Sequence, residues 1–338
     1  MKDTPRVREF SEDQLIARIS QYLLILDDVE LGPGDDAALV AAPDGRFLVT
    51  TDVLVEGRHF VPEWISPVDL GRRAMAQNFA DIAAMGARTT SVVVALTIPG
   101  DLAVSWLEDL AAGMGQYCAE SGASLVGGDL ARGEAISIAV TAMGNLDGAA
   151  PVLRSGARAG DVIAHAGNIG WGAAGFALLE AGFKGSPEAK AQEVKAQELI
   201  SAHQVPQPPL KAGVAARRAG ATAMLDVSDG LVRDGARLAA ASGVVLNFDA
   251  AALAAYEEVI RPAAKHLGLD PRTWVLSGGE DHGLLATFPP DALLPDVFTA
   301  VGQVLGVPGE EQEQPGNPGV LIEHQPVQIP PGWDHFGG

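Results

Sequence analysis

Short apolar runs alternate with amphipathic stretches along most of the chain. The runs SVVVALTI at 91–98 and AISIAVTAM at 135–143 have the length and the content of β-branched residues that are typical of strands. The stretch at 66–87 instead repeats apolar residues at helical spacing, with Ser66 at its start and Gly86 just past its end. This alternation predicts an α/β or α+β fold and argues against an all-helical or an all-strand protein.

A segment rich in Gly, Ala and Pro divides the chain. It covers 144–161 and leads into the strand-like run DVIAHAG. Such a segment is typical of a domain boundary, so we expect an N-terminal domain over 1–148 and a C-terminal domain over 149–338. The second half continues with a predicted helix from about Trp171 and with a strand that ends in LDV.

The composition limits the classes of partner. Acidic residues number 43 and basic residues 23, which gives a formal net charge of −20 without any basic cluster. Binding to nucleic acid through its phosphate backbone is therefore not expected. No apolar run approaches the ~18 residues of a membrane span, and no signal core is seen, so we expect a cytoplasmic protein with no membrane partner. The single cysteine, Cys118, excludes an internal disulfide and a cysteine-rich metal site.

Five short stretches bring side-chain oxygens together beside glycines or near the ends of predicted strands. The first is LGPGDDAALV at 31–40, where Asp35 and Asp36 stand side by side although their carboxylates repel each other. A cation between them would remove that repulsion. The other four stretches carry Thr50, Thr51 and Asp52; Asn78 and Asp81; Asp129; and Asp226, Ser228 and Asp229.

The positions of these four stretches are predicted from the local pattern. We expect one strand to end at Asp52 and another to end before Gly127, Gly128 and Asp129, where bare backbone could approach a ligand closely. Asn78 and Asp81 are three residues apart and should share one side of a helix. The stretch at 226–229 is expected at a strand-to-helix junction.

Each stretch alone has an ordinary structural explanation, because an Asp before a helix is usually an N-cap and GGD is usually a turn. The repetition favours a set of hard oxygen ligands, which suits Mg²⁺ better than zinc. The Walker A motif and the signatures of protein kinases are absent from the sequence. Several Mg²⁺ ions could instead neutralise a triphosphate and an anionic acceptor at the same time.

Seven motifs follow one another along the chain: GPGDDAAL, TTDVLVEGRHF, AQNFADIAAMGA, VGGDLARG, RSGARAGD, LDVSDGL and SGGEDHGLL. In this order they resemble the thiamine-monophosphate kinase family, within the superfamily of aminoimidazole-ribonucleotide synthetase-like ATP enzymes. The resemblance runs from about residue 30 to the GWDHF near the C-terminus. It implies two α/β domains per subunit and a homodimer whose interface is built from N-domain strands. It also implies direct transfer of the ATP γ-phosphoryl group to thiamine monophosphate, with several Mg²⁺ ions.

The resemblance further implies site residues, motif by motif. The Mg²⁺ ligands would be Asp36, Thr50, Thr51, Asp52, Asp81, Asp129, Asp226 and Asp229. The residues that contact ATP would be Gly127, Gly128, Arg154 and Ser228, and those that contact thiamine monophosphate would be His59, Glu280 and Trp333. Asp52, Asp129 and Arg154 are expected to act in catalysis. His59 could instead be a packed loop residue, and Trp333 could anchor the C-terminal tail by burial.

The chain departs from the family pattern at three positions. The family commonly has an aromatic residue and then Glu after SGGED, whereas this chain has His282 and Gly283, so the role of that Glu is vacant. Pro33 stands where a small aliphatic residue is common, which stiffens the turn without touching a ligand.

No catalytic base is expected, because a phosphate monoester loses its second proton near pH ~6 and arrives as a ready nucleophile.

Other functions were also considered for the same residues. Selenophosphate synthetase and the hydrogenase-maturation member of the superfamily need cysteines near their N- and C-termini, which this chain lacks. A dinucleotide-binding oxidoreductase could use the G-x-G-x-x-G formed by Gly170, Gly172 and Gly175, although no strand that ends in an acid follows the predicted helix. A non-enzymatic acidic scaffold would explain the net charge but not the ordered acidic stretches.

Overall fold

The computed structural model describes residues 5–32, 37–183, 195–306 and 319–327. The chain divides into two compact units, the first over Met1–Ile82 and Ala87–Ala149 and the second over Ala83–Gly86 and Ala150–Gly338. Both units mix helices and strands, so the predicted α/β (α+β) class is confirmed. Within the described ranges no helix has the length and apolarity needed to cross a membrane.

The first unit is built on a four-stranded sheet of order β3–β6–β4–β5, with a separate pair of short strands, β1 and β2. In chain order its described elements are a 3₁₀ helix Val7–Glu9, α1 Glu12–Ser20, β1 Val29–Leu31, β2 Leu39–Val40, β3 Leu48–Val55, α2 Pro67–Ala84, β4 Arg88–Ile98, α3 Val104–Ser121, β5 Ser124–Arg132 and β6 Ser137–Asn145.

Local signals mark the helix ends in this unit, and the start and end predicted for α2 are confirmed. The Ser11 hydroxyl accepts from the N–H of Gln14, whose side chain accepts from the N–H of Ser11, so α1 begins with a capping box. The Ser66 hydroxyl accepts from the N–H of Asp69 at the start of α2, and Gly86 takes the left-handed conformation just past its end.

The two faces of the four-stranded sheet differ in burial. Leu54, Val94 and Ile138 lie on one face and are 2%, 7% and 0% exposed, and this is the face that receives α2. Val49 and Val53 lie on the other face of β3, where they are 62% and 46% exposed. The first unit therefore carries an uncovered face that includes large apolar side chains.

The second unit is built on a seven-stranded mixed sheet of order β13–β12–β9–β11–β7–β10–β8. In chain order its described elements are β7 Val162–Ala166, α4 Trp171–Glu180, α5 Ala196–Gln204, α6 Leu210–Arg218, β8 Ala223–Val227, α7 Leu231–Ser242, β9 Val244–Phe248, α8 Ala250–Leu267, α9 Pro271–Ser277, β10 Gly283–Phe288, β11 Thr299–Gly306, β12 Gly319–Ile322 and β13 Gln325–Pro326.

Two strands at one end of this sheet, β8 at the edge and β10 beside it, are buried on both sides. All five residues of β8 and all six residues of β10 are buried, as expected of strands covered on both faces. The register aligns Asp226 on β8 with Leu284 on β10, and Val227 with Gly283. This pairing brings the start of LDVSDGL next to the end of SGGEDHGLL, which are more than 50 residues apart in sequence.

Two predicted strand ends are wrong. β3 continues past Asp52 to Val55, and Gly127, Gly128 and Asp129 lie inside β5 rather than after it. The acids and glycines suggested turns, but cross-strand pairing of β3 with β6 and of β5 with β4 continues through them. Local propensity is overridden here because both are edge strands, where glycines and charged residues are tolerated.

Candidate functional site

Polar side chains of α2 meet β3 at one side of the first sheet. Thr50 and Asp52 are two residues apart on β3 and point to the same side. The Thr50 hydroxyl donates to Oδ2 of Asp81 over 2.7 Å, and the N–H of Asp52 donates to Oδ1 of Asn78 over 3.1 Å. Nδ2 of Asn78 donates to the carbonyl of Ala74 over 3.0 Å, which fixes the amide orientation. The predicted proximity of Asn78 and Asp81 on one side of a helix is confirmed.

The pairing register places Asp129 on the opposite face from Asp52. Across β4 and β6, Asp129 stands in the same row as Val53, and residues in one row share a face of the sheet. Thr51 lies on this second face too, where its hydroxyl accepts from the Thr141 hydroxyl over 3.1 Å. The sheet therefore groups Thr50, Asp52 and Asp81 on one side, and Thr51 and Asp129 on the other.

Gly128 has a packing role in β5, and Gly127 lies beside a shift in the strand register. The register between β4 and β5 shifts next to Gly127, and a Cβ on Gly128 would overlap the carbonyl oxygen of Val94. A side chain at 128 is therefore excluded by the neighbouring strand. The same lack of a side chain leaves the backbone open along this edge.

His59 is held in a tight turn after β3. Its Nδ1 accepts from the N–H of Val55 over 3.0 Å, and Gly57 in the same turn has a φ of +73°. Because Nδ1 is the acceptor, the neutral ring carries its proton on Nε2. The half-buried ring is thus hydrogen-bonded at Nδ1, and the turn fixes the orientation of the ring.

Asp226 and Asp229 flank the junction of β8 and α7, as predicted. Asp226 is 6% exposed, whereas the side chain of Asp229 is 17% exposed and lies 2.7 Å from Nη1 of Arg237. Asp229 is not the N-cap of α7, because that position belongs to Gly230. Its own N–H donates to Oδ2 of Asp234 over 2.8 Å. Burial raises the pKa of Asp234 to about 6.

The SGGEDHG loop packs against this junction, backbone on backbone. A Cβ on Gly230 would lie 2.9 Å from the Ser277 carbonyl oxygen, and one on Gly279 would lie 2.6 Å from the carbonyl oxygen of Ser228. The N–H of Glu280 donates to that same Ser228 oxygen over 2.8 Å. The glycines of the two motifs are therefore required by close approach, and the two motifs form one structure.

His282 connects the acids of this region. It is 4% exposed, its Nδ1 lies 3.2 Å from Oδ2 of Asp226, and its Nε2 lies 3.8 Å from Oε2 of Glu280. Burial alone lowers the pKa of His282, but the two carboxylates outweigh burial and raise it to about 10. Sequence reasoning treated position 282 only as a departure from the family and missed this contact.

Gly283 has a local cause in this chain. A Cβ there would overlap Nε2 of His165 on the adjacent strand β7 and would lie 2.8 Å from the Ala166 carbonyl oxygen. His165 is 1% exposed, and burial lowers its pKa to about 3. The buried imidazole thus fills the space that a side chain at 283 needs.

Asp281 occupies the N-terminus of α4. Its Oδ2 accepts from the N–H of Gly170 over 2.5 Å and its Oδ1 from the N–H of Gly172 over 2.8 Å. Burial raises the pKa of this carboxyl to about 7. A Cβ on Gly175 would overlap the Leu199 carbonyl oxygen, so the third glycine serves helix packing. The G-x-G-x-x-G therefore binds an internal carboxylate, which argues against the dinucleotide-binding oxidoreductase.

Arg154 is exposed, and its backbone is anchored. The Ser242 hydroxyl donates to the Arg154 carbonyl over 2.9 Å and accepts from the N–H groups of Gly156 and Ala157 over 3.1 and 3.2 Å. This fixes the path of the RSGARAGD loop in the second unit. Nothing in the sequence pattern indicated that Ser242, at the end of α7, would hold this loop.

The remaining positions named from the sequence are Asp36, Pro33, Trp333 and Cys118. Asp36, Pro33 and Trp333 lie outside the described residues. Cys118 lies on α3 with 1% exposure, and burial raises the pKa of its thiol to about 12, so it is not poised as a nucleophile.

The donor atoms fit Mg²⁺. Over the described ranges no three His, Cys, Asp or Glu side chains form a metal centre by themselves. Mg²⁺ in nucleotide sites is usually held by one or two carboxylates together with substrate phosphates. The carboxylate and hydroxyl oxygens of Thr50, Asp52 and Asp81 provide such a partial ligand set.

Comparison with known proteins identifies the family. The profile for the AIR synthase related protein, N-terminal domain, matches residues 34–146, and that for the AIR synthase related protein, C-terminal domain, matches 158–314. The thiamine-monophosphate kinase of Mycobacterium tuberculosis is 44% identical over 335 residues, which cover 99% of this chain and 94% of the relative. The Corynebacterium glutamicum thiamine-monophosphate kinase is 39% identical and covers 99% of this chain and 96% of that relative.

A solved structure extends the likeness to three dimensions. The structure described as AaThiL complexed with AMPPCP and TMP has a TM-score of 0.75 and 30% identity, and the alignment covers 99% of this chain and 100% of that one. Sequence and fold agree over nearly the whole length, so the chain belongs to the thiamine-monophosphate kinase family of AIR synthase related proteins.

Proposed function

We propose that the protein transfers the γ-phosphoryl group of ATP to thiamine monophosphate and forms thiamine diphosphate and ADP. The observation that carries the proposal is the grouping of Thr50, Asp52 and Asp81 where α2 meets β3, in a chain 44% identical to a thiamine-monophosphate kinase. The AaThiL structure with AMPPCP and TMP, which we take as thiamine monophosphate, supports ATP and thiamine monophosphate as the two substrates.

The reaction needs alignment more than acid–base chemistry. An oxygen of the acceptor phosphate forms a bond to the γ-phosphorus, the bond from that phosphorus to the β–γ bridging oxygen breaks, and ADP leaves with the electron pair. The acceptor is largely dianionic at neutral pH, so no side chain must remove a proton from it. Catalysis then consists of in-line positioning and neutralisation of charge.

Mg²⁺ is part of the proposal. When bound, it would offset the charge of the two sets of phosphates and orient them. Asp52, Asp81 and Thr50 are suited to hold it on one side of the first sheet, because the Thr50 hydroxyl and the Asn78 amide already orient this group. The further proposed ligands are Asp36, Thr51, Asp129, Asp226 and Asp229.

The remaining assignments extend the same proposal. For ATP the proposed contacts are Gly127, Gly128, Arg154 and Ser228; for thiamine monophosphate they are His59, Glu280 and Trp333. The exposure of Arg154 on an anchored loop and the fixed ring of His59 support these roles. Asp52, Asp129 and Arg154 are proposed as the catalytic residues.

We also propose a homodimer and a cytoplasmic location, where ATP is available. The exposed face of the four-stranded sheet supports the homodimer, because Val49 and Val53 present apolar surface there. β3 is in addition an edge strand, which a second copy could cover.

The direct test is to mix the protein with ATP, Mg²⁺ and thiamine monophosphate and to measure thiamine diphosphate by chromatography. Parallel reactions contain thiamine in place of the monophosphate, or lack Mg²⁺. We expect product only with the monophosphate and Mg²⁺. Formation of thiamine diphosphate from thiamine at an equal rate, or no product in any reaction, would contradict the proposal.

A further inference from the structure

His282 lies between two acids that the proposed function assigns to different partners. Asp226, a proposed Mg²⁺ ligand, is 3.2 Å from Nδ1 of the imidazole, and Glu280, a proposed contact of thiamine monophosphate, is 3.8 Å from Nε2. The side chains of His282 and Asp226 are 5% and 7% exposed, whereas that of Glu280 is 32% exposed. One buried ring thus faces a buried and a more accessible carboxylate.

The loop that carries His282 is held in a demanding conformation. Glu280 and His282 have φ values of +70° and +53°, in the left-handed region that residues other than glycine rarely adopt. Hydrogen bonds of three consecutive residues fix this conformation. The N–H of Glu280 donates to the Ser228 carbonyl over 2.8 Å, and the N–H of His282 donates to the Val227 carbonyl over 2.9 Å. The Asp281 carboxylate accepts from the N–H groups of Gly170 and Gly172 at the start of α4. Such strain persists only where the surroundings determine the backbone fully.

The imidazole offers what the common aromatic residue at this position does not. A phenyl ring has no donor, and a tyrosine has its donor at the far end of the ring. The imidazole has Nδ1 close to its attachment point, where it meets Asp226. A buried carboxylate needs such a partner, since an unpaired buried charge is costly.

We propose that His282 is a positioning residue that orients the Asp226 carboxylate for the Mg²⁺–nucleotide and sets the Glu280 side chain toward thiamine monophosphate. The inference rests on the proposed function. His282 acts through the two acids, so its removal changes the apparent affinity for Mg²⁺ and for the acceptor. Partners of this kind, one step removed from the metal, typically change metal affinity or activity by about 10–100-fold when they are lost.

Three substitutions separate the two contacts. His282→Phe removes both nitrogens, His282→Asn retains a donor near the position of Nδ1, and His282→Gln places its amide near the position of Nε2. With His282→Phe we expect the half-saturating Mg²⁺ concentration and the KM for thiamine monophosphate to rise about tenfold. His282→Asn should restore the wild-type Mg²⁺ dependence and keep the raised KM for thiamine monophosphate. His282→Gln should restore the wild-type KM and keep the raised half-saturating Mg²⁺ concentration.

Binding of Mn²⁺ to each variant, followed by electron paramagnetic resonance with AMPPCP present, gives a readout that does not depend on turnover. Mn²⁺ binding should be weaker than in the wild type in His282→Phe and His282→Gln, and it should equal the wild type in His282→Asn. His165→Leu is the matched control, because it removes another buried histidine, on β7, whose hydrogen-bond partner is Tyr256 rather than these acids. It should lower the melting temperature and leave Mn²⁺ binding unchanged.

The outcomes separate this inference from the proposed function. If wild-type protein forms no thiamine diphosphate, the proposed function fails, while the Mn²⁺ comparison still tests His282 and Asp226. If the folded variants bind Mn²⁺ and thiamine monophosphate as the wild type does, or lose only thermal stability as His165→Leu does, the inference is overturned. His282→Asn keeps the test valid if His282→Phe does not fold, because Asn tolerates the left-handed backbone conformation of position 282.

Discussion

The Thr50 hydroxyl donates a 2.7 Å hydrogen bond to Oδ2 of Asp81, a residue 31 positions away on α2. The bond joins a hydroxyl and a carboxylate that are both proposed Mg²⁺ ligands, so Thr50 also orients its partner. We expect Thr50→Val to lower the free energy of unfolding by about 1–2 kcal/mol. Because Asp81 loses its orientation, the half-saturating Mg²⁺ concentration should rise about tenfold in steady-state assays.

Thr90→Val is the control for that substitution. The Thr90 hydroxyl donates to the Met143 carbonyl over 3.2 Å within the same sheet and touches no proposed ligand. It should reduce stability alone. An equal change in Mg²⁺ dependence in both variants would show that the effect of Thr50→Val is general loosening of the sheet.

Asp52→Asn and Asp129→Asn should fold normally and lose turnover. Both side chains are exposed, so the melting temperature should change little, whereas loss of a charge that acts on the phosphates should reduce kcat about 10²–10³-fold. Circular dichroism and initial rates measure the two effects. Wild-type rates in both variants at limiting Mg²⁺ would refute their assigned roles.

The exposed face of the first sheet gives a prediction about assembly. Val49→Asp combined with Val53→Asp places two charges on that face, so we expect the proposed homodimer to dissociate, as measured by size-exclusion chromatography with light scattering. Leu293→Asp is the control, since Leu293 is 90% exposed in the second unit. A wild-type protein that runs as a monomer would rule out this interface.

His165 should make the protein sensitive to acid. Burial lowers its pKa to about 3 in the folded state, below the ordinary value of 6.5. Its contribution to stability is therefore complete above pH ~6.5 and is lost as the pH falls toward 3, because only the unfolded chain binds the proton. Between pH 6 and 5 the free energy of unfolding should fall by roughly 1 kcal/mol more in the wild type than in His165→Leu. Urea titrations of the two proteins at pH 6 and at pH 5 would test this. An equal fall in the free energy of unfolding in both proteins would contradict it.

Local signals in the sequence were sufficient for several elements. The cap at Ser66, the left-handed Gly86 and the helix from Trp171 follow from residue type and spacing, and the structure confirms them. The proximity of Asn78 and Asp81 was also predictable, since three residues span about one helical turn.

Other features depend on contacts between distant residues. β3 continues through Thr50, Thr51 and Asp52 because β6 pairs with it, and no local pattern specifies that pairing. The same register separates Asp52 from Asp129, since a shift of one residue along a strand changes the face. The binding of the Asp281 carboxylate at the N-terminus of α4 could not be predicted either, because Gly170 and Gly172 precede Asp281 by more than 100 residues.

The interlocking of the LDVSDGL and SGGEDHGLL segments limits how this region can change. Where Gly230 and Gly279 bring two backbones together, neither segment keeps its shape without the other. An engineer who transplants one segment into a different scaffold must therefore carry both. Under the same constraint the two segments would covary during evolution, because a change in one is tolerated only with a matching change in the other.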